Sequence, residues 1–176
     1  MKNEKTTVKS APMSAAPILY DKEGKIDWGK MWTSYCTLAR DGGPSHRGKE
    51  QSIVKKDLID VNNVNFRKVM AEAKRGARQV VHYPVAEYTG GWLTLKLKST
   101  NMAKWFAGVI NEENVEAKAL GIYLCLPIND DFDIEHDVKS IITVIGKATH
   151  YWENHRTLFS KIMIHIFGFD PQWIQG

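Results

Sequence analysis

The stretch Asp41-Gly42-Gly43-Pro44-Ser45-His46-Arg47-Gly48-Lys49 sets an imidazole, a guanidinium and an ammonium within four positions, interleaved with glycine. These side chains hold anions or move protons, and glycine lets a backbone approach a ligand closely. Gly43, Ser45, His46, Arg47, Gly48 and Lys49 are therefore the candidate ligand-binding residues, and His46 is the candidate general acid or base. Gly43 to Lys49 also fits G-x-x-x-x-G-K, the opening of a nucleotide phosphate loop. That motif continues with a Ser or Thr that holds magnesium, and Glu50 stands there instead. The periodicity further places a helix before the loop, so a helix C-terminus would meet the phosphates, the unfavourable end of the dipole. The expectation that survives is a loop for a small anionic ligand. Gly42 and Pro44 are explained by helix termination, whereas His46, Arg47 and Lys49 are not.

The other reactive groupings are weaker. Cys36 with His46 or His82 would make a thiolate–imidazole pair, but Cys36 borders an apolar helix face, where thiols are commonly inert. His150, Glu153 and His155 resemble a metal cluster in composition only. The five-residue step between the histidines separates them by about 140° around a helix, unlike the four-residue step of H-E-x-x-H. Thr143, Gly146, Lys147 and His150 line up opposite the apolar stripe and read as a solvated face. The run Asp130, Asp131, Asp133, Glu135 and Asp137 lacks the glycine and spacing of a calcium loop. No metal site is expected and no motif implies a cofactor. Arg67, Lys68, Lys74, Arg75 and Arg78, with Tyr83 beyond them, would suit a phosphate backbone. The net charge of +4 is modest, however, and no helix-turn-helix, RNP or KH signature is present, which argues against nucleic acid as the partner.

The elements that must position these residues follow from patterning. With 176 residues, 43% of them apolar and 25% charged, one domain with a sizeable core is expected. Residues 1–21 are polar and small and read as a disordered or loosely attached tail, leaving 22–176 as the domain. Asp27 should cap a helix whose face is Trp28, Met31, Trp32, Tyr35, Leu38 and Ala39, ending near Arg40. Gln51 to Ile59 is ambiguous between strand and helical turn. Asn62 or Asn63 caps a second helix with the stripe Phe66, Val69, Met70, Ala73 and Ala77. Gln79 to Thr89 reads as a strand, Gly90-Gly91 as a turn, and Trp92 to Lys98 as a strand whose leucines alternate with Thr94, Lys96 and Lys98.

A helix capped by Ser99, Thr100 or Asn101 comes next. Short strands at Asn114–Ala119 and Ile122–Leu126 then flank Leu120-Gly121, with Cys125 a core position on its pattern. Asp133 caps a long helix that bends or breaks at 154–157. The final run through Phe167 is apolar almost all round, which points to burial in the core or in a partner. The whole predicts an α+β two-layer sandwich. Its sheet is mostly antiparallel and four-stranded (ββαββα-like), with two N-terminal helices and a C-terminal helix.

Neither a signal-peptide-like N-terminus nor an apolar run of about 18 residues is present, and Cys36 and Cys125 form no paired framework. A cytoplasmic protein without membrane contact is therefore expected. The leading expectation is a binding or accessory protein. An enzyme using His46, or a structural subunit docking on a copy of itself or another chain through residues 158–176, are the alternatives.

Overall fold

The computed structural model describes residues 17–40 and 54–168. Among the described residues, five α-helices and a four-stranded antiparallel sheet make up a mixed α+β fold, as the patterning predicts.

The helices begin where short polar side chains can take their free amides. Asp27 Oδ1 accepts from Lys30 N at 2.9 Å and opens α1 (Trp28–Arg40). Asn63 does the same for α2 (Val64–Val80), accepting from Asn65 N at 2.8 Å. Ser99 Oγ accepts from Met102 N at 3.1 Å at the start of α3 (Thr100–Glu112). Asp133 caps a π-helical turn (Ile134–Val138) that runs into α4 (Lys139–His150), and a second π-helical turn (Tyr151–His155) extends it. Thr157 caps α5 (Leu158–Phe167), which ends on Gly168 in the left-handed conformation.

The sheet consists of β1 (Val85–Tyr88), β2 (Trp92–Lys96), β3 (Lys118–Leu120) and β4 (Tyr123–Pro127), in the order β1-β2-β4-β3. Two hairpins thus meet through their second strands, β2 against β4, and each is followed by a helix. Leu93 pairs with Leu126 and Leu95 with Leu124. All four leucines are fully buried against the helical layer, where α2 lies over β1 and β2 while α3 lies over β3 and β4.

Two strand boundaries shift, and one helix face is partly covered. The strand expected from Gln79 is still helix up to Val80, because the apolar spacing of Ala73 and Ala77 continues to Val80 and Val81 and the Val81 amide donates to Ala77 O. The strand itself starts after Pro84. Asn114 to Ala117 does not join the sheet: Asn114 takes φ 64° and Val115 forms a lone parallel bridge with Val54, so pairing with β4 starts at Lys118. The face of α4 expected to be solvated is covered at Thr143 and Gly146, while Lys147 is half-buried and His150 is exposed as expected. Thr143 and Gly146 are both buried, and α1 packs on Gly146, where a Cβ would lie 3.0 Å from the Trp32 ring. Trp28 uses Gly76 of α2 in the same way, with 3.0 Å to its indole. The absence of side chains at two helix glycines is what lets the tryptophans of α1 seat.

Candidate functional site

Gly43, Ser45, His46, Arg47, Gly48 and Lys49 lie outside the described residues, as do Gly42 and Pro44. Of the remaining expectations, Cys36 sits on α1 beside Tyr35 and Trp32, whereas exposed His82 follows α2, on a separate element. His150 and His155 do approach, with ring centroids 5.2 Å apart. Among the described residues, however, no group of three or more His, Cys, Asp or Glu side chains is arranged to hold a metal.

The basic face of α2 is largely engaged within the fold. Lys74 pairs with Glu87 at 2.9 Å, Arg75 with Glu72, and Arg78 donates to Val85 O. Tyr83 is half-buried edge-on to Phe106, and burial followed by the Glu153 charge pushes its phenol up to about 12.

The described structure assembles a different site, on the face of the sheet turned away from the helices. Strand pairing places residues in rows across that face. Tyr88 is opposite Trp92, and Trp92 is opposite Pro127. Ala86 is opposite Thr94, Thr94 opposite Cys125, and Cys125 opposite Lys118. Lys96 is opposite Tyr123, and Tyr123 opposite Leu120. The middle row is made mostly of small side chains, and it is flanked by larger rows that carry aromatic rings.

The consequence is a trough of about 430 Å³ lined by Ala86, Glu87, Tyr88, Thr94, Leu120, Tyr123 and Cys125. That volume lies within the range of small-ligand pockets, roughly 300–1,000 Å³. Tyr88 and Tyr123 are exposed at its two sides. Thr94 donates its hydroxyl proton to Ala86 O at 3.2 Å, which leaves its oxygen as an acceptor on the floor. Glu87, opposite Leu93 in the register, turns its carboxylate to the helical side, where Lys74 of α2 pairs with it at 2.9 Å, so it adds no negative charge to the trough.

Next to the trough, the Lys118 ammonium lies 4.9 Å from the Trp92 ring centroid and also 2.8 Å from Glu116. Because β4 runs between β2 and β3, this cation–π contact bridges β4. It helps explain why Cys125 is only 1% exposed with no helix above it. Burial raises the Cys125 thiol pKa against a smaller opposing pull from Lys118, so the sulfur is a protonated floor atom rather than a nucleophile.

Alternation in the sequence carries this site only in part. Thr94 and Lys96 separate from Leu93 and Leu95 by period two, and Tyr123, Cys125 and Pro127 separate from Leu124 and Leu126 in the same way. Cys125, read as core between two leucines, is buried as expected, but on the opposite face from those leucines. Its burial comes from neighbours on two other strands, which no local pattern encodes. No family model matches the chain, and neither a curated protein nor a solved structure is detectably similar to it, so the trough is interpreted from its own geometry.

Proposed function

We propose that the protein is a binding module whose open sheet face takes a flat-ringed, anionic ligand such as a nucleotide unit. The observation that carries this reading is the arrangement of Tyr88, Trp92 and Tyr123 with Lys96 and Lys118 around a floor of Ala86, Thr94 and Cys125. Aromatic side chains on a sheet offer stacking surfaces to flat rings, and lysines at the margin attract phosphate without fixing its orientation. Small floor residues leave room for a ring to lie on the strands, and the Thr94 oxygen can accept a hydrogen bond from it. Residues 43–49, through His46, Arg47 and Lys49, have side chains suited to the same anionic ligand, and their assignment as a binding loop is a proposal from residue type alone. Titration with nucleoside monophosphates and short single-stranded oligonucleotides, followed by tryptophan fluorescence and repeated with Tyr88→Ala and Tyr123→Ala, tests the reading. Saturable quenching that both substitutions weaken supports it. No response to any of these ligands at low salt removes it.

A further inference from the structure

Helix α5 is built the wrong way round for a helix that serves only the core. Its buried residues are Ser160 and Ile164, while Leu158, Phe159, Ile162, Ile166 and Phe167 are 75%, 64%, 44%, 63% and 68% exposed. Polar contacts hold it to α3 instead. Ser99 Oγ lies 2.6 Å from His165 Nδ1, and the Asn101 side chain donates to His165 O at 3.1 Å. At about 100° per residue, Leu158, Phe159, Ile162 and Ile166 fall within one arc of about 100° on the outer side. The charged residue of the helix, Lys161, lies outside that arc and donates to Glu153 O. The outward stripe is therefore uncharged as well as apolar.

We infer that this stripe is the interface of a two-fold dimer, with α5 of one copy packed antiparallel on α5 of the other. The spacing supports a copy of the same chain as occupant. Leu158 and Ile166 stand four residues before and four after Ile162, so the stripe is symmetric about its own centre. A dyad through Ile162 sets it against Ile162 of the partner subunit and Leu158 of each copy against the Ile166 position of the other, in i±4 ridge packing. Like copies meet without like charges. The area is at the threshold: taking about 200 Å² for each large side chain, the four residues of the stripe present roughly 500 Å² per copy, about 1,000 Å² in the pair, the least expected of a specific interface.

The test is sedimentation of the full chain at micromolar concentration with Ile162→Glu, Ile162→Lys and an equimolar mixture of the two. The wild type is expected to sediment as a dimer. Each variant alone should be a monomer with unchanged circular dichroism, and the mixture should recover the dimer, because the opposed charges meet at the dyad. Leu158→Glu, at the most exposed position of the stripe, serves as a second disrupting variant should Ile162→Glu perturb folding. A monomeric wild type overturns the inference. If that monomer co-sediments with phosphatidylcholine vesicles, or dimerises once residues 169–176 are removed, the stripe belongs to a membrane surface or to the chain's own end. A wild-type dimer that all these charges leave intact overturns it too.

Discussion

The Lys118 ammonium and the Trp92 ring meet at 4.9 Å over β4, the strand that separates theirs. A contact between side chains of non-adjacent strands closes one part of the open sheet face and leaves the neighbouring part as a trough. It also buries Cys125 beneath a cation and an indole, without a helix.

This arrangement predicts the behaviour of the thiol. In a Cys36→Ser protein, native Cys125 should react with a disulfide reagent at pH 8 far more slowly than free cysteine, because it is buried and its pKa is raised. Adding Trp92→Ala should speed the reaction by roughly tenfold or more by opening the site to reagent. An unchanged rate would mean that Trp92 does not shield the sulfur.

Gly91 and Gly121 both hold positive φ, +77° and +57°, but their surroundings differ. A Cβ at Gly91 would collide with Ile59 Cδ1 and meet Ile128 O at 2.8 Å, whereas at Gly121 nothing lies within 4 Å. Gly121→Ala should cost about 1 kcal/mol, the left-handed penalty alone. Gly91→Ala adds overpacking against backbone and should cost about 2–5 kcal/mol. Urea denaturation of the two variants provides the comparison, and equal losses would contradict this packing.

Lys147 Nζ donates to Glu113 Oε1 at 2.6 Å, with the Glu113 side chain 1% exposed and that of Lys147 25% exposed. Lys147→Met leaves a buried carboxylate without this partner and should destabilise by about 3 kcal/mol. Glu113→Gln combined with Lys147→Met should cost less than the sum of the single changes, since neither charge is then stranded. Equilibrium unfolding of the two singles and the double variant measures that coupling.

His165 is held below its ordinary pKa first by desolvation and then by the Lys98 charge. Above the unfolded value of about 6.5 the ring is neutral in both states, and its contribution to stability is complete. As pH falls below that value the unfolded chain takes up the proton first, so the contribution declines until pH has passed the lower folded pKa. The Tm advantage of the wild type over His165→Gln should therefore shrink between pH 7 and 5. A constant difference would show that the ring is not titrating out of its contact with Ser99.

Much of this architecture is legible in the residues. Asp27, Asn63, Ser99 and Asp133 cap helices where expected, and the leucines of β2 face the core as their alternation requires. What was not legible depends on partners distant in sequence. Gly146 reads as solvated because nothing local shows that Trp32 covers it. The trough arises only once register sets Tyr88 beside Trp92 and Tyr123 beside Leu120. The His46 loop is the reverse case, prominent in sequence and outside the described residues.

Fluorescence anisotropy of a labelled eight-nucleotide single strand, titrated with protein at low salt and again at rising salt, measures ligand capture by the sheet face. Binding should be saturable and should weaken as salt increases. Tyr88→Ala and Tyr123→Ala should each reduce affinity roughly tenfold or more, in line with about 1–3 kcal/mol for a stacked base, while Lys161→Ala on α5 changes nothing. Absence of binding to both the strand and free nucleoside monophosphates, or binding that the double tyrosine substitution leaves intact, would contradict ligand capture by this face.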